Sequence, residues 1–482
     1  MSSRQSRDKK RPVQGTDRRQ SISYSLGISL DFTILFHLFA NAVGPHRRKG
    51  NAMKKRTKAT FFLALTIFCL TGQIAWVVEN MYFNVFIYKM FGASAAEISL
   101  MVSASAIAAT VTTLLIGALS DKIGKRKIFI CGGYILWGIS ILAFCLVRID
   151  VIEGLFPSVV SAASVGVTLT ILLDCIMTFF GSSANDAAFN AWLTDSTDST
   201  NRGKAEGINA MMPLVAILAV FGGFMGFDLD KSESWTTIFL IIGGVMVLIG
   251  ILGFFLIQDP CVKVEENKSY FKNIFYGFRP KVIGQNKTLY LHLLGFALFG
   301  ISIQIFMPYL ILYYTESLHM ENYVLIMAPA VILASVFTAL WGRVYDKIGF
   351  RKSVCPSLAM LGAGYVILIF FQSVIPVFLG SLLMMCGYLS GMAVFGAVIR
   401  DHTPEHRAGM FQGLRIVAQV LIPGLIGPII GSAVLKNADK VLNNDGTESF
   451  IPNENIFLAA LAAATVLAIY LLIQFRVLRR KK

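Results

Sequence analysis

The sequence predicts an all-α membrane protein with twelve transmembrane helices in two pseudo-symmetric six-helix bundles. Three observations lead there. First, 55% of the 482 residues are hydrophobic and 15% are charged, with a mean hydropathy of +0.65, whereas soluble globular domains carry about 25% charged residues. Second, apolar segments of about the 20 residues that cross a bilayer recur along the chain and leave little room for a soluble domain. Third, two loop motifs recur in the second half, so the chain reads as a duplication.

Residues 1–52 stand apart. Ten Lys and Arg against Asp8, Asp17 and Asp31 give this segment +7 of the net charge of +15. Its apolar stretch, Ser21 to Val43, is interrupted by Asp31 and His37, which makes it a poor span. The segment is expected to be a disordered or misassigned basic extension. Met53-Lys54-Lys55-Arg56 then looks like a natural start for a six-helix bundle over 53–257. Its spans are expected at 59–88, 95–119, 128–148, 165–193, 205–227 and 236–257. A linker at 258–288 follows, with Tyr270, Phe271, Ile274, Phe275 and Phe278 at helical spacing among Lys268, Lys272 and Arg279, the pattern of an amphipathic helix lying on a membrane face. The second bundle, 289–482, has expected spans at 289–314, 323–341, 354–372, 375–399, 410–434 and 456–475. With the N-terminus inside, Lys89, Arg148, Lys231, Lys436 and Lys440 are the only Lys or Arg in or beside the outer loops, against twelve Asp and Glu. The positive-inside rule therefore places both termini in the cytoplasm of a multi-pass cell-membrane protein.

Net basicity in such a chain reflects topology before nucleic acid, and no nucleic-acid partner is expected. The seven cysteines form no CxxC pair and no His-Cys cluster, so neither disulfides nor a resident metal or other cofactor is expected. Nor is there a nucleophile, base and oxyanion arrangement or a nucleotide loop, so the chain does not read as an enzyme. The expected partners are the lipid bilayer and a small-molecule substrate, with the chain a monomer.

The internal repeat carries the most specific signal. Gly117-Ala-Leu-Ser-Asp121-Lys122-Ile-Gly124-Lys125-Arg126-Lys127 closes the second span, and Gly342-Arg-Val-Tyr-Asp346-Lys347-Ile-Gly349-Phe350-Arg351-Lys352 closes the eighth, 225 residues later. Gly203-Lys-Ala-Glu-Gly207 and Gly409-Met-Phe-Gln-Gly413 open the fifth and eleventh spans. Two halves joined by a longer middle loop are the layout of carriers that rock around a site at the bilayer midplane. The G-x-x-x-D-[RK]-x-G-[RK]-[RK]-[RK] loop resembles the signature of the major facilitator superfamily, and the resemblance spans the chain from about residue 59. The second copy departs by carrying Phe350 where the first has Lys125. Asp121 at a helix end could cap a neighbouring helix and pair with Arg202 or Arg407, a network able to latch one conformation. The expected gating set is Gly117, Asp121, Lys122, Gly124, Lys125, Arg126 and Arg202, with Gly342, Asp346, Gly349, Arg351 and Arg407.

Ionisable groups within spans cost a few kcal/mol and mark function by default. In the first span Trp76, Glu79, Asn80 and Phe83 share one helical face, next to Tyr82. In the fourth, Thr178, Ser182, Asp186 and Asn190 recur every fourth residue, beside Asn185 and Trp192, with Asp174 one turn further out. His292, Gln304 and Tyr309 lie in the seventh, and Arg415 and Gln419 in the eleventh. Glu79, Asp186 and Asp174 are the candidate coupling groups, because a desolvated carboxylate can exchange a proton near neutral pH. Trp76, Asn80, Tyr82, Ser182, Asn185, Asn190, Trp192, Gln304, Tyr309 and Gln419 are the candidate substrate ligands, a set suited to a polar, ring-shaped solute.

Within the superfamily, Met81-Tyr82-Phe83 through Gly92 and Asn185-Asp186-Ala-Ala-Phe189 resemble the glycoside-pentoside-hexuronide:cation symporters. That resemblance implies a shared cation and sugar role for Asp186. It departs in the second span, where Ser103 to Gly117 lacks the carboxylates of sodium-using members, so H+ is the expected coupling ion in preference to Na+. The expectation is therefore a secondary active transporter moving a small polar organic solute, a sugar or glycoside, by alternating access with proton symport. One rival is a proton-coupled drug or metabolite efflux antiporter. The Gly-Pro-rich kink typical of antiporters is missing from Phe221-Gly222-Gly223-Phe224-Met225-Gly226, although Gly424-x-x-Gly427-Pro428-x-x-Gly431 occurs in the eleventh span. The other rival is a non-transporting nutrient sensor on the same fold.

Overall fold

Apolar, Gly-rich segments in lipid must satisfy their own backbone, and helices do this within one segment. The computed structural model bears this out and describes residues 53–157, 161–197, 201–259, 276–320, 322–403, 408–442 and 448–479. The chain divides into two units, Met1–Lys54 and Lys55–Lys482, and all the spans lie in the second. The basic extension at 1–52 and the predicted amphipathic core of the linker at 260–275 fall outside the described residues.

Eleven described helices are long and apolar enough to cross a membrane. One of them, Val324–Phe370, is 47 residues long and contains Gly349 at φ 72° and ψ 174°. It is therefore two spans, 324–348 and 350–370, joined at a kink, and the count reaches twelve. Spans 1 to 7 are Ala59–Phe91, Ala95–Ser120, Arg126–Leu146, Ala162–Asp195, Gly207–Phe224, Ser232–Leu256 and Lys287–Ser317; spans 10 to 12 are Val374–His402, Gly413–Val434 and Asn455–Val477.

Both glycines of the repeated loop turn out to be backbone necessities. Gly124 ends the helix of span 2 at φ 68° and Gly349 breaks the long helix at φ 72°, left-handed conformations that a Cβ disfavours. At its other end, span 2 starts with a full capping box, Ser94 and Glu97 bonding each other's backbone N–H.

Small residues set the helix contacts, as expected where the hydrophobic effect cannot drive association. Span 3 lies against span 6 at Gly138, where a Cβ would stand 2.7 Å from the Gly243 carbonyl oxygen, and span 9 lies against span 10 at Gly364, 2.5 Å from the Met384 nitrogen. Spans 2 and 11 join the two halves: a Cβ on Gly424 would stand 2.5 Å from that of Ala106, and Ser103 Oγ donates to the Gly424 carbonyl at 3.2 Å. Span 5 meets the long helix of the second half in the corresponding way. Gly427 and Gly431 press on Gln304 and Ile305 of span 7, so the Gly-Pro pattern of span 11 is a packing device.

Three features go beyond the sequence expectation. A short helix, Ile149–Leu155, follows span 3. An antiparallel pair, Lys440–Leu442 with Glu448–Phe450, lies between spans 11 and 12. Finally, four spans contain π-helical turns, at Val78–Tyr82, Ser182–Phe189, Tyr313–Ser317 and Val417–Leu421.

Candidate functional site

The π turns coincide with the polar residues. Val78–Tyr82 holds Glu79, Asn80 and Tyr82; Ser182–Phe189 holds Ser182, Asn185 and Asp186; Val417–Leu421 holds Gln419. A π turn inserts an extra residue, weakens the local ladder and re-aims side chains, and such bulges concentrate at functional sites.

Glu79 is the centre of the best-defined cluster. It is 7% exposed. Its Oε1 accepts from Ser105 Oγ of span 2 at 2.7 Å and from Thr178 Oγ1 of span 4 at 2.8 Å, and the two hydroxyls are themselves 2.8 Å apart. Asp174, one turn from Thr178 and 1% exposed, has Glu79 as its charged neighbour. Glu79 Oε2 and Asp174 Oδ1 are both buried without a hydrogen-bond partner. Leaving such atoms unpaired in a low-dielectric interior costs several kcal/mol unless something else occupies the space or neutralises the charge.

One turn from Glu79, the Trp76 ring lies 4.9 Å from that of Trp137 on span 3, and both indole N–H groups are buried and unpartnered. Asn80 is exposed and donates to the Trp76 carbonyl at 2.7 Å. Asp186 accepts from Ser182 at 3.0 Å, and Asn190 donates to the Asp186 carbonyl. Asn185 is held elsewhere: its Oδ1 accepts from Tyr134 at 3.1 Å, and Tyr134 also bonds the Phe68 carbonyl at 2.6 Å. Gly72 makes room for this contact, since a Cβ there would stand 2.6 Å from both Asn185 Oδ1 and the Tyr134 hydroxyl. Ser105, Tyr134, Trp137 and Gly72 were not among the sequence candidates. Each is an ordinary span residue in composition, and only tertiary contact reveals its role.

Other candidates lie away from Glu79. Tyr82 is fully buried and hydrogen-bonds Tyr323 at 2.9 Å. Tyr309, also fully buried, donates to the Ala95 carbonyl at 2.9 Å. Trp192 donates to the Gln258 carbonyl at the signature-loop end of span 4. Gln304 is half-buried beneath Gly427, and Gln419 accepts from Arg415 Nε at 3.3 Å. His292 packs 4.9 Å from His402, ring to ring, and takes a contact from Gln474. No group of three or more His, Cys, Asp or Glu among the described residues is placed to hold a metal ion.

At the signature loop, Arg126 is 4% exposed. Its guanidinium meets Asp195 Oδ2 at 3.1 and 3.2 Å and donates to Ser120 Oγ at 2.6 Å, tying together the ends of spans 2, 3 and 4. Lys122, Lys125, Asp346, Gly349 and Arg351 are exposed, and Gly117 and Gly342 are half-buried. The side chains of Asp121, Arg202 and Arg407 lie outside the described set. At the opposite end the two halves are fastened together. Lys89 bridges Asp230 at 2.8 Å and Glu316 at 2.6 Å, and Tyr88 donates to the Phe450 carbonyl at 2.6 Å. With the Tyr82–Tyr323 and Tyr309–Ala95 bonds, these close that end.

The sequence profile of the Major Facilitator Superfamily matches residues 59–428 and 292–482. No curated protein sequence matches significantly. Among solved structures, the nucleoside transporter NupG superposes with a TM-score of 0.65 at 14% identity, covering 86% of this chain and 99% of its own. A bacterial homologue of the human lysosomal transporter Spinster, inward-facing and occupied, gives 0.65 at 16% identity, covering 87% and 97%. The xylose transporter XylE from E. coli gives 0.61 at 15% identity, covering 85% and 98%. At these identities the likeness is one of fold.

Proposed function

Because the chain belongs to the major facilitator superfamily, we propose that it is a secondary active transporter that moves a small polar organic solute, a sugar or glycoside, together with a proton by alternating access. The carrying observation is the buried polar face of spans 1, 2 and 4: Glu79, Ser105, Asp174 and Thr178, one turn from Trp76 with its unpartnered indole N–H. Polar groups at this depth are retained for function, and an aromatic ring beside hydrogen-bonding groups suits a sugar ring. The superposed xylose and nucleoside transporters, both carriers of sugar-bearing solutes by name, lend support. The positive-inside pattern supports cytoplasmic termini, and on this reading the fastened end is the outer one.

The test is uptake of labelled pentoses, hexoses and glycosides into proteoliposomes under an imposed inward proton gradient. Accumulation of at least one sugar that collapses with a protonophore is the expected result. Uptake of none, with the protein correctly inserted, would refute the assignment.

A further inference from the structure

The chain has five tryptophans, and three of them donate the indole N–H to a backbone carbonyl. Trp192 bonds Gln258 at 3.0 Å, Trp235 bonds Leu229 at 2.8 Å and Trp341 bonds Ser353 at 3.3 Å. The other two, Trp76 of span 1 and Trp137 of span 3, are neighbours, with rings 4.9 Å apart. Each of their Nε1 atoms is buried with no hydrogen-bond partner among the described residues. An indole nitrogen can only donate, and a buried donor that finds no acceptor has given up its hydration for nothing.

The two rings do not satisfy each other. An N–H aimed at a neighbouring ring belongs to an edge-to-face pair, whereas these planes are tilted by 47°. The surroundings make specific room for the pair. A Cβ on Gly181 of span 4 would stand 2.8 Å from Trp137 Cε2, the ring carbon bonded to Nε1, so only glycine lets the indole edge lie there. Tyr134, one turn away on span 3, holds its ring 5.6 Å from that of Trp137. Trp137 is fully buried, Trp76 is half-buried, and Asn80 one turn further along span 1 is exposed. The pair therefore runs from the interior toward the accessible face of span 1.

We propose that Trp76 and Trp137 form a paired-donor subsite for the solute, each N–H donating to an oxygen of a hydroxyl, ring or glycosidic group. Trp137 thereby joins the site from span 3, which supplied no candidate in the sequence. The inference rests on the carrier reading and narrows its substrate: the solute presents two acceptor oxygens, one to each indole. A lipophilic cation without acceptors leaves both donors unmade.

The test is the indole N–H magnetic resonance spectrum of the full chain, labelled at tryptophan and held in lipid nanodiscs, as pentoses, hexoses and glycosides are added. With a solute that the protein carries, two of the five signals should move downfield, as an N–H proton does on gaining an oxygen acceptor. They should be the two that are missing from Trp76→Phe and Trp137→Phe. The signals of Trp192, Trp235 and Trp341, already bonded, should stay in place. Trp137→Phe keeps an aromatic ring and loses the donor, and should weaken binding of that solute about tenfold, the worth of one good hydrogen bond. Downfield movement with tetraphenylphosphonium and with no sugar would overturn the proposal. Uptake into liposomes reads the carrier assignment separately: a sugar that is taken up while both signals stay put overturns the subsite alone, and uptake of no sugar with both signals static overturns the two together.

Discussion

Glu79→Gln is expected to abolish gradient-driven accumulation while leaving the protein folded and still able to exchange solute. Gln keeps the shape and an acceptor for Ser105 and Thr178 but cannot bind and release a proton. One coupled proton and a gradient of about one pH unit support about tenfold accumulation, since each unit is worth about 1.4 kcal/mol. The variant should fall to equilibration, with counterflow within a few-fold of the wild type. Measuring accumulation and counterflow on the same liposomes separates coupling from binding. Undiminished accumulation in Glu79→Gln would contradict the assigned role. Asp186→Asn is the instructive partner: Asp186 accepts from Ser182 on its own helix, whereas Glu79 accepts from Ser105 and Thr178 of two other spans.

Arg126→Ala is expected to produce the largest loss of stability. The side chain is 4% exposed and serves Asp195 and Ser120 together. Breaking a buried pair by removing one partner costs about 3–5 kcal/mol, and the quarter exposure of the Asp195 side chain pulls the expectation to the lower end of that range. Arg126→Lys should be intermediate, keeping the charge but losing the planar fork. The readout is the thermal unfolding midpoint of the solubilised protein in a double-mutant cycle with Asp195→Asn, where the two losses should be strongly non-additive. Additive losses would show that the ion pair is incidental.

Much of the fold was legible in the sequence because lipid imposes a simple rule, long apolar helices and little else. The duplicated loop added the two halves, and its glycines at 124 and 349 proved to be left-handed turns. The break expected between 341 and 354 is narrower in the structure: helix runs on to the Gly349 kink, because Tyr345, Asp346 and Lys347 continue a helical turn that hydropathy alone reads as loop. The site was legible only as a list of polar residues. Glu79, Asp174 and Thr178 do converge, whereas Tyr82, Tyr309 and Trp192 are committed to helix-end contacts. Helical periodicity gives the face of one helix and says nothing about which residue of another helix it meets. Ser105 is one of several Ser and Thr hydroxyls in span 2, and its role depends entirely on the approach of spans 1 and 4. The π turns were invisible for a related reason: a 3.6-residue period is assumed throughout a span, and no residue pattern marks the inserted residue.

The most direct measurement is the pH of a weakly buffered medium outside de-energised proteoliposomes as sugars, glycosides and lipophilic cations are added in turn. A sugar that turns the medium alkaline, with the response lost in Glu79→Gln, is the predicted result. Silence toward every sugar, with protons moving only when a lipophilic cation is added, would contradict the account and make the chain a drug antiporter.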